Sequence, residues 1–360
     1  MAAFEIHPDI RLAETPPAAF YTDAATLQEL KQRAFARSWQ FVADADVVKV
    51  PGNVYPCSLL EGTLDEPIVF SRDQDDHVNC FANVCTHRGM TVCEGAGTEN
   101  SLRCRYHGRR FKLDGSFVSM PEFEEVANFP TAADDLPKVP FVQWKRLLFA
   151  SIDPVAPLPT YFSEMIERIG WLPIEEFRPE PSRNREFVVR ANWALYIDNY
   201  LEGFHIPYIH AALNEQLDYD NYEVELLKHG VLQLGVADDA SEAFELPSSS
   251  RDFGRRIGAY YYWFFPNLMF NFYPWGLSIN IIRPIAVDLT KINFVTYVWK
   301  PNLLDQGAGA GLDRVEREDE AVVEATHRGL KSSLYTRGRY SVKRETGPHH
   351  FHRLATACLR

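Results

Sequence analysis

Positive charge is what this sequence lacks most. Lys and Arg number 37 against 49 Asp and Glu, a formal net charge of −12 at pH 7 over 360 residues. Phosphate-backbone binding draws on clustered cations, so the balance argues against nucleic acid as a partner. Long apolar runs are missing too. The most apolar region, Ala259 to Ile285, is interrupted by Pro266, Asn267, Asn271, Pro274, Gly276 and Asn280. Nothing approaches the roughly 20 uninterrupted apolar residues of a membrane span, so no membrane partner is expected. The opening MAAFEIHPDIRLAETPP has no charged segment leading into an apolar stretch, so no secretory signal is expected and the expected location is cytoplasmic. Cysteine is sparse, with six residues at 57, 80, 85, 93, 104 and 358. Such spacing, with histidines nearby, suggests metal before disulfides. There is no internal repeat, and Gly307-Ala308-Gly309-Ala310-Gly311 is too short to cradle a phosphate.

What is present is ample core material: 46% hydrophobic and 13% aromatic residues. A chain this long is expected to form two domains. Residues Thr22 to Phe35 read as a helix, capped by Thr22 or Asp23, with Leu27, Leu30 and Phe35 at helical spacing. From about Trp39 to Ile152 the pattern changes to short alternating segments separated by turn signals, which predicts a small antiparallel β domain. The proline-rich stretch Asp153 to Pro159 is the candidate boundary. Beyond it the pattern is mixed, with a helix over Trp193–Glu202, strands over Tyr260–Phe272 and Leu277–Trp299, and a long helix over Asp313–Ser333. That layout is α+β.

Two constellations carry the chemistry. The first is Cys85-Thr86-His87-Arg88-Gly89 with Cys104-Arg105-Tyr106-His107-Gly108. Each half offers one thiolate and one imidazole, whereas zinc fingers usually pair like with like. A mixed set suits a 2Fe-2S cluster in which two Cys hold one iron and two His the other. Gly89 and Gly108 allow the backbone to turn tightly beside it. These residues resemble the Rieske domain of aromatic-ring-hydroxylating and related oxygenases. Met90 and Tyr106 stand where respiratory Rieske proteins carry the extra disulfide cysteines, which favours the oxygenase type. Arg105 and Arg109 depart from the Pro and Trp usual in the second loop.

The second constellation is His205 and His210, five residues apart. On an unbroken helix they would lie about 140° from each other, and Pro207 is read as the break that lets both turn to one metal. The surrounding stretch Asp198-Asn199-Tyr200-Leu201-Glu202-Gly203-Phe204-His205-Ile206-Pro207-Tyr208-Ile209-His210 resembles the mononuclear iron site of the same family. The resemblance implies a carboxylate third ligand on a late helix, where Asp319 falls in the motif, giving Fe(II) two His and one carboxylate with positions open for O2. It also implies that Glu202 bridges a Rieske histidine of one subunit and an iron histidine of its neighbour. Many members use Asp there, and Glu is known among oxygenases of quaternary ammonium compounds. Asp198 is expected to support the site from behind.

The resemblance spans nearly the whole chain. It implies an N-terminal helical segment (1–38) packed on the catalytic domain, a small all-β Rieske domain (39–153) and a helix-grip, START-like catalytic domain (154–360) with a curved antiparallel sheet. It implies a homotrimer or higher multiple, a small-molecule substrate, and a separate reductase or ferredoxin as electron donor. Hydroxylation or demethylation of a quaternary ammonium compound, oxygenation of an aromatic compound, and electron transfer alone all stay open at this level. The basic run Arg88, Arg103, Arg105, Arg109, Arg110 and Lys112 is expected to face an acidic donor or simply solvent. Alternate members of the aromatic block Tyr260 to Phe265 are expected to face a pocket. His349, His350 and His352 are expected at the surface or a subunit contact.

Overall fold

The computed structural model describes residues 4–210, 222–237, 239–307 and 312–360, with the side chains of 312–314 left aside; the glycine-rich stretch 308–311 lies outside the described residues. The chain divides into two compact units, one of Ala36–Val155 and one of Met1–Phe35 with Ala156–Arg360.

The smaller unit is built from short antiparallel strands. Asn53–Leu59, Glu66–Arg72 and Val78–Ala82 form one meander, extended by Gly97–Thr98. Gln40–Asp44 pairs with Leu147–Ala150, which pairs with Phe141–Trp144. Leu102–Arg103, Arg110–Phe111 and Phe117–Ser119 form the third sheet. Alternation explains the core: Val54, Val69, Phe81, Leu102, Phe111 and Leu113 point into one buried cluster, and Cys85 and Cys104 belong to it.

The larger unit is organised by one eight-stranded antiparallel sheet, comprising β1 (Arg178–Pro179), β2 (Arg185–Val189), β3 (Glu223–Leu227), β4 (Gly230–Val236), β5 (Ile257–Phe264), β6 (Leu268–Tyr273), β7 (Gly276–Ala286) and β8 (Leu289–Val298). The order is β1-β8-β7-β6-β5-β4-β3, with β2 also pairing β8. The aromatic stretch Tyr260–Phe272, expected to form strands, is a hairpin in which Phe265-Pro266-Asn267 turns the chain between β5 and β6. Its residues alternate as expected. Trp263 packs on Phe351 of the Thr346–Ala357 helix, while Phe264 and Phe270 pack on Phe162. Both faces are thus covered, and β6 is buried throughout.

Asp23 caps the Ala24–Arg33 helix by accepting from the Ala25 amide, which fixes its start. Leu27 and Leu30 form its buried face, and Phe35 beyond it meets Trp193 at 4.9 Å. Asn192 caps the Trp193–Tyr200 helix in the same manner. That helix, the Leu312–Gly329 helix and the Thr346–Ala357 helix enclose the catalytic side of the sheet.

Candidate metal centres and substrate pocket

The two cluster loops are built on one backbone pattern. In the first, the Cys85 amide donates to the Met90 carbonyl and the Gly89 amide to the Cys85 carbonyl. In the second, the Cys104 amide donates to Arg109 and the Gly108 amide to Cys104. Both glycines take left-handed backbone, with φ of +74° and +78°, a conformation that penalises a Cβ. Cys85 and Cys104 are buried, while His87 is half-buried and His107 exposed, their rings 4.8 Å apart. Sulfur donors therefore lie inside and nitrogen donors at the tip, the polarity a mixed-ligand two-iron cluster requires. Among the described residues, these four are not gathered tightly enough to hold one ion through three donors.

His205, His210 and Asp319 are gathered that tightly: one ligand atom from each falls within 4.8 Å of the others. The Trp193–Tyr200 helix ends before Leu201, and a one-turn helix covers Ile206–Ile209, with His205 and His210 at its two ends. The expected break therefore precedes His205. Pro207 lies in the first turn of the new helix, where its missing N–H costs nothing. On the Leu312–Gly329 helix, Glu316, Asp319, Val323 and His327 follow a three-to-four spacing, which turns Asp319 inward.

Each histidine is held from behind. His205 Nδ1 lies 2.7 Å from Glu202 Oε1, and His210 Nδ1 lies 2.8 Å from Glu318 Oε2. Their Nε2 atoms point to Asp319 Oδ1, at 3.4 Å and 2.9 Å. Asn199 Nδ2 donates to the same oxygen at 2.7 Å. Imidazoles oriented by carboxylates, with free Nε2 atoms converging on a carboxylate, match the donor set of non-haem Fe(II). Burial opposes charge on His205, but Asp319 and Glu202 outweigh it and raise the imidazole to about 9. Burial likewise opposes charge on His210, and Asp319 and Glu318 raise it nonetheless. Burial would raise Asp319, yet the two histidines hold it below the usual carboxylate range. Removing one member of so compact a set would leave buried charge uncompensated, a strongly unfavourable outcome.

Sequence reading singled out neither Glu318 nor Asn199. The signal for Glu318 was its place beside Asp319, hidden in an acidic run. Asp198 does not touch the triad. Its carboxylate accepts from Tyr21 at 3.1 Å and lies 3.0 Å from His352 Nε2. His352 also meets the Tyr21 and Tyr340 hydroxyls, each at 2.7 Å, and is buried, as is His349. His349 and His352 are therefore not surface residues, because the helix carrying them packs its inner face in the core, while His350 is half-buried.

A cavity of about 160 Å³ opens beside the triad. Four neighbouring strands line it with residues in cross-strand register, Gln233, Tyr261, Asn271 and Ser278, and Tyr273 and Asn280 add to the same wall. Tyr200 donates to Asn271 Oδ1 at 2.6 Å, and Gln233 donates to the Tyr200 carbonyl at 2.8 Å. Gln233 Oε1 is buried without a hydrogen-bond partner among the described residues. Tyr196 donates to Glu316 at 2.9 Å. Burial raises the phenols of Tyr200, Tyr222, Tyr261 and Tyr273, so all stay neutral at pH 7. No Lys or Arg lines this cavity among the described residues.

A sulfur-and-nitrogen cradle and a two-histidine, one-carboxylate triad on one chain define an oxygenase of the Rieske non-haem iron class. Residues 38–130 match the Rieske [2Fe-2S] domain, and residues 170–360 match the ring hydroxylating alpha subunit (catalytic domain). The carnitine monooxygenase oxygenase subunit of Escherichia coli K12 is 30% identical, over 95% of this chain and 93% of its own. Chloroplastic choline monooxygenase of Beta vulgaris is 29% identical, over 97% of this chain and 77% of its own. A solved quaternary ammonium Rieske monooxygenase shares the fold with a TM-score of 0.77 at 24% identity, over 99% of this chain and 100% of that one. Naphthalene 1,2-dioxygenase from Rhodococcus does so at 0.70 and 18%, over 96% of this chain and 94% of that one. The chain belongs to the ring-hydroxylating oxygenase alpha-subunit family. It is an oxidoreductase that incorporates O2, the oxygenase component of a system with a 2Fe-2S cluster, a mononuclear iron and a separate electron donor. No helix among the described residues is long and apolar enough to cross a membrane.

Proposed function

We propose that the protein is a monooxygenase of small methylammonium compounds, hydroxylating or demethylating a substrate of the choline kind, which carries a cation and no carboxylate. The pocket carries this reading. It offers neutral tyrosine rings (Tyr200, Tyr222, Tyr261, Tyr273), which attract a quaternary ammonium group through their faces, and the Glu316 carboxylate as counter-charge. Its other polar groups, on Asn271, Ser278 and Asn280, are neutral and suit a hydroxyl. A substrate carboxylate would meet Glu316, Glu202 and Asp319 with no lining Lys or Arg to offset them among the described residues. The choline and carnitine oxygenases among the relatives support the cationic part of this reading.

In it, Cys85 and Cys104 would hold one iron of the cluster and His87 and His107 the other, while His205, His210 and Asp319 would hold the mononuclear iron. The bound iron supplies the binding and reductive activation of O2. Glu202 fixes His205 through Nδ1 and, through its backbone contacts at 204 and 205, fixes the turn that presents it. We assign Glu202 the contact with a Rieske histidine of a neighbouring chain in a homotrimer; the inter-subunit electron transfer described for the quaternary ammonium oxygenase supports this. Asp198 takes the more distant role of anchoring the Trp193–Tyr200 helix, which leads into the turn carrying Glu202. None of the six cysteines forms a disulfide, which fits a reducing compartment such as the cytoplasm.

The test is product analysis with labelled O2 and a surrogate reductase, over choline, carnitine, glycine betaine and simple aromatic compounds. Oxygen incorporation with choline and little with carnitine is expected. Turnover of an aromatic compound alone would overturn the reading.

A further inference from the structure

Arg109 does not belong to the solvated basic face. Only 2% of it is exposed, although it lies two residues beyond the ligand His107. Its guanidinium stands 5.0 Å from the Phe117 ring centre, 5.5 Å from Phe129 and 5.8 Å from Phe111, a desolvated aromatic setting. One carboxylate answers it, at 2.6 Å from Nη2: Asp134, whose side chain is 20% exposed. The same Nη2 donates to the Asp134 carbonyl at 3.2 Å, and that carbonyl also accepts from Thr86 at 2.8 Å. Thr86 stands between Cys85 and His87. A single carbonyl therefore ties the guanidinium to the first cluster loop, while the Arg109 backbone closes the second by accepting from Cys104. Met90 holds the equivalent place in the first loop. The twin loops thus differ in charge at matching positions.

A charge this well shielded from water keeps a long reach. Reduction adds one negative charge to a 2Fe-2S cluster, so a fixed neighbouring cation favours the reduced form.

We propose that Arg109, clamped by Asp134 between the two ligand loops, sets the electron affinity of the cluster by stabilising its reduced state. Asp134 is the counterweight. It holds the cation in place and, being the more exposed member, only partly cancels it.

This rests on the four-residue cluster assignment, so iron and acid-labile sulfide are measured first in every preparation. Absence of both from the unaltered chain would overturn that assignment, independently of Arg109. Full-length loaded protein is then titrated electrochemically, followed by visible circular dichroism and by the paramagnetic signal of the reduced cluster. Arg109→Met fills the aromatic slot without charge. It is expected to raise the oxidised-to-reduced ratio at a fixed potential about tenfold, or about 59 mV for a one-electron couple. Arg109→Lys is expected to stay within about twofold of the unaltered protein. Asp134→Asn is expected to shift the ratio the other way, towards the reduced form. A loaded Arg109→Met protein with an unchanged potential would overturn the proposal, as would an Arg109→Lys shift as large as that of Met. Should Arg109→Met fail to load, Asp134→Asn decides: an unchanged or lowered potential there overturns it.

Discussion

Glu318 offers the sharpest test of how the triad is held. Its carboxylate orients His210 through a 2.8 Å contact to Nδ1, on a histidine with 1% of its side chain exposed. Replacing Glu318 by Ala leaves a buried imidazole free to rotate or change tautomer. A hydrogen bond to a charged group contributes about 1.5–3 kcal/mol. Because Glu318 itself is 29% exposed, water can replace part of that contact, and the lower half of the range applies. That corresponds to roughly ten- to fortyfold weaker metal binding, within the span typical for partners that support a ligand from behind. Glu318→Gln, which keeps an acceptor but loses the charge, should fall between Ala and the unaltered residue. The assay is anaerobic Fe(II) or Co(II) titration against a competing chelator, with the cluster's visible absorption as internal control. Unchanged affinity in Glu318→Ala with an intact cluster would refute the reasoning. So would equal losses of metal and cluster, which would signal general unfolding.

Three further outcomes follow from the same geometry. Asp319→Ala should keep the cluster and lose the separate iron, lowering iron from about three to about two per chain, with activity abolished; metal analysis checks this. His205 is raised to about 9 by its carboxylates in metal-free protein, so its contribution to stability is full below the ordinary 6.5 and is lost as pH rises through about 9. Thermal melts of chelated protein should therefore decline between those values, and melts with Co(II) bound should decline less. Trp193→Ala removes a side chain 1% exposed, packed on Phe35 and Phe351, and should cost about 3–5 kcal/mol and roughly 10 °C in melting temperature; calorimetry checks this.

The sequence exposed both candidate constellations because their spacing is local. Cys85, His87, Cys104 and His107 sit on short loops, and His205 and His210 frame a single turn. It exposed the two kinds of domain because alternation and helical spacing differ in period. What it concealed depends on facing, which only packing decides. In the acidic run Glu316 to Glu320, composition cannot say that Glu316, Glu318 and Asp319 point towards the site. In the run Arg103 to Lys112, one of several cations is buried, and the aromatic partners that receive Arg109 lie at Phe117 and Phe129. His352 looked like a surface residue until its helix was seen to close on Tyr21 and Tyr340.

The polar row contributed by β4, β5, β6 and β7 separates two demands. The candidate iron ligands come from two helical segments, Ile206–Ile209 with its flanking histidines and Leu312–Gly329, whereas the cavity wall draws its side chains from neighbouring strands. Because hydrogen-bonded register fixes each position, a single exchange at Gln233, Tyr261, Asn271 or Ser278 can redraw the chemical outline of the cavity while the ligating helices keep their places. New preferences can therefore arise in small, separable increments from one unchanged iron-holding frame.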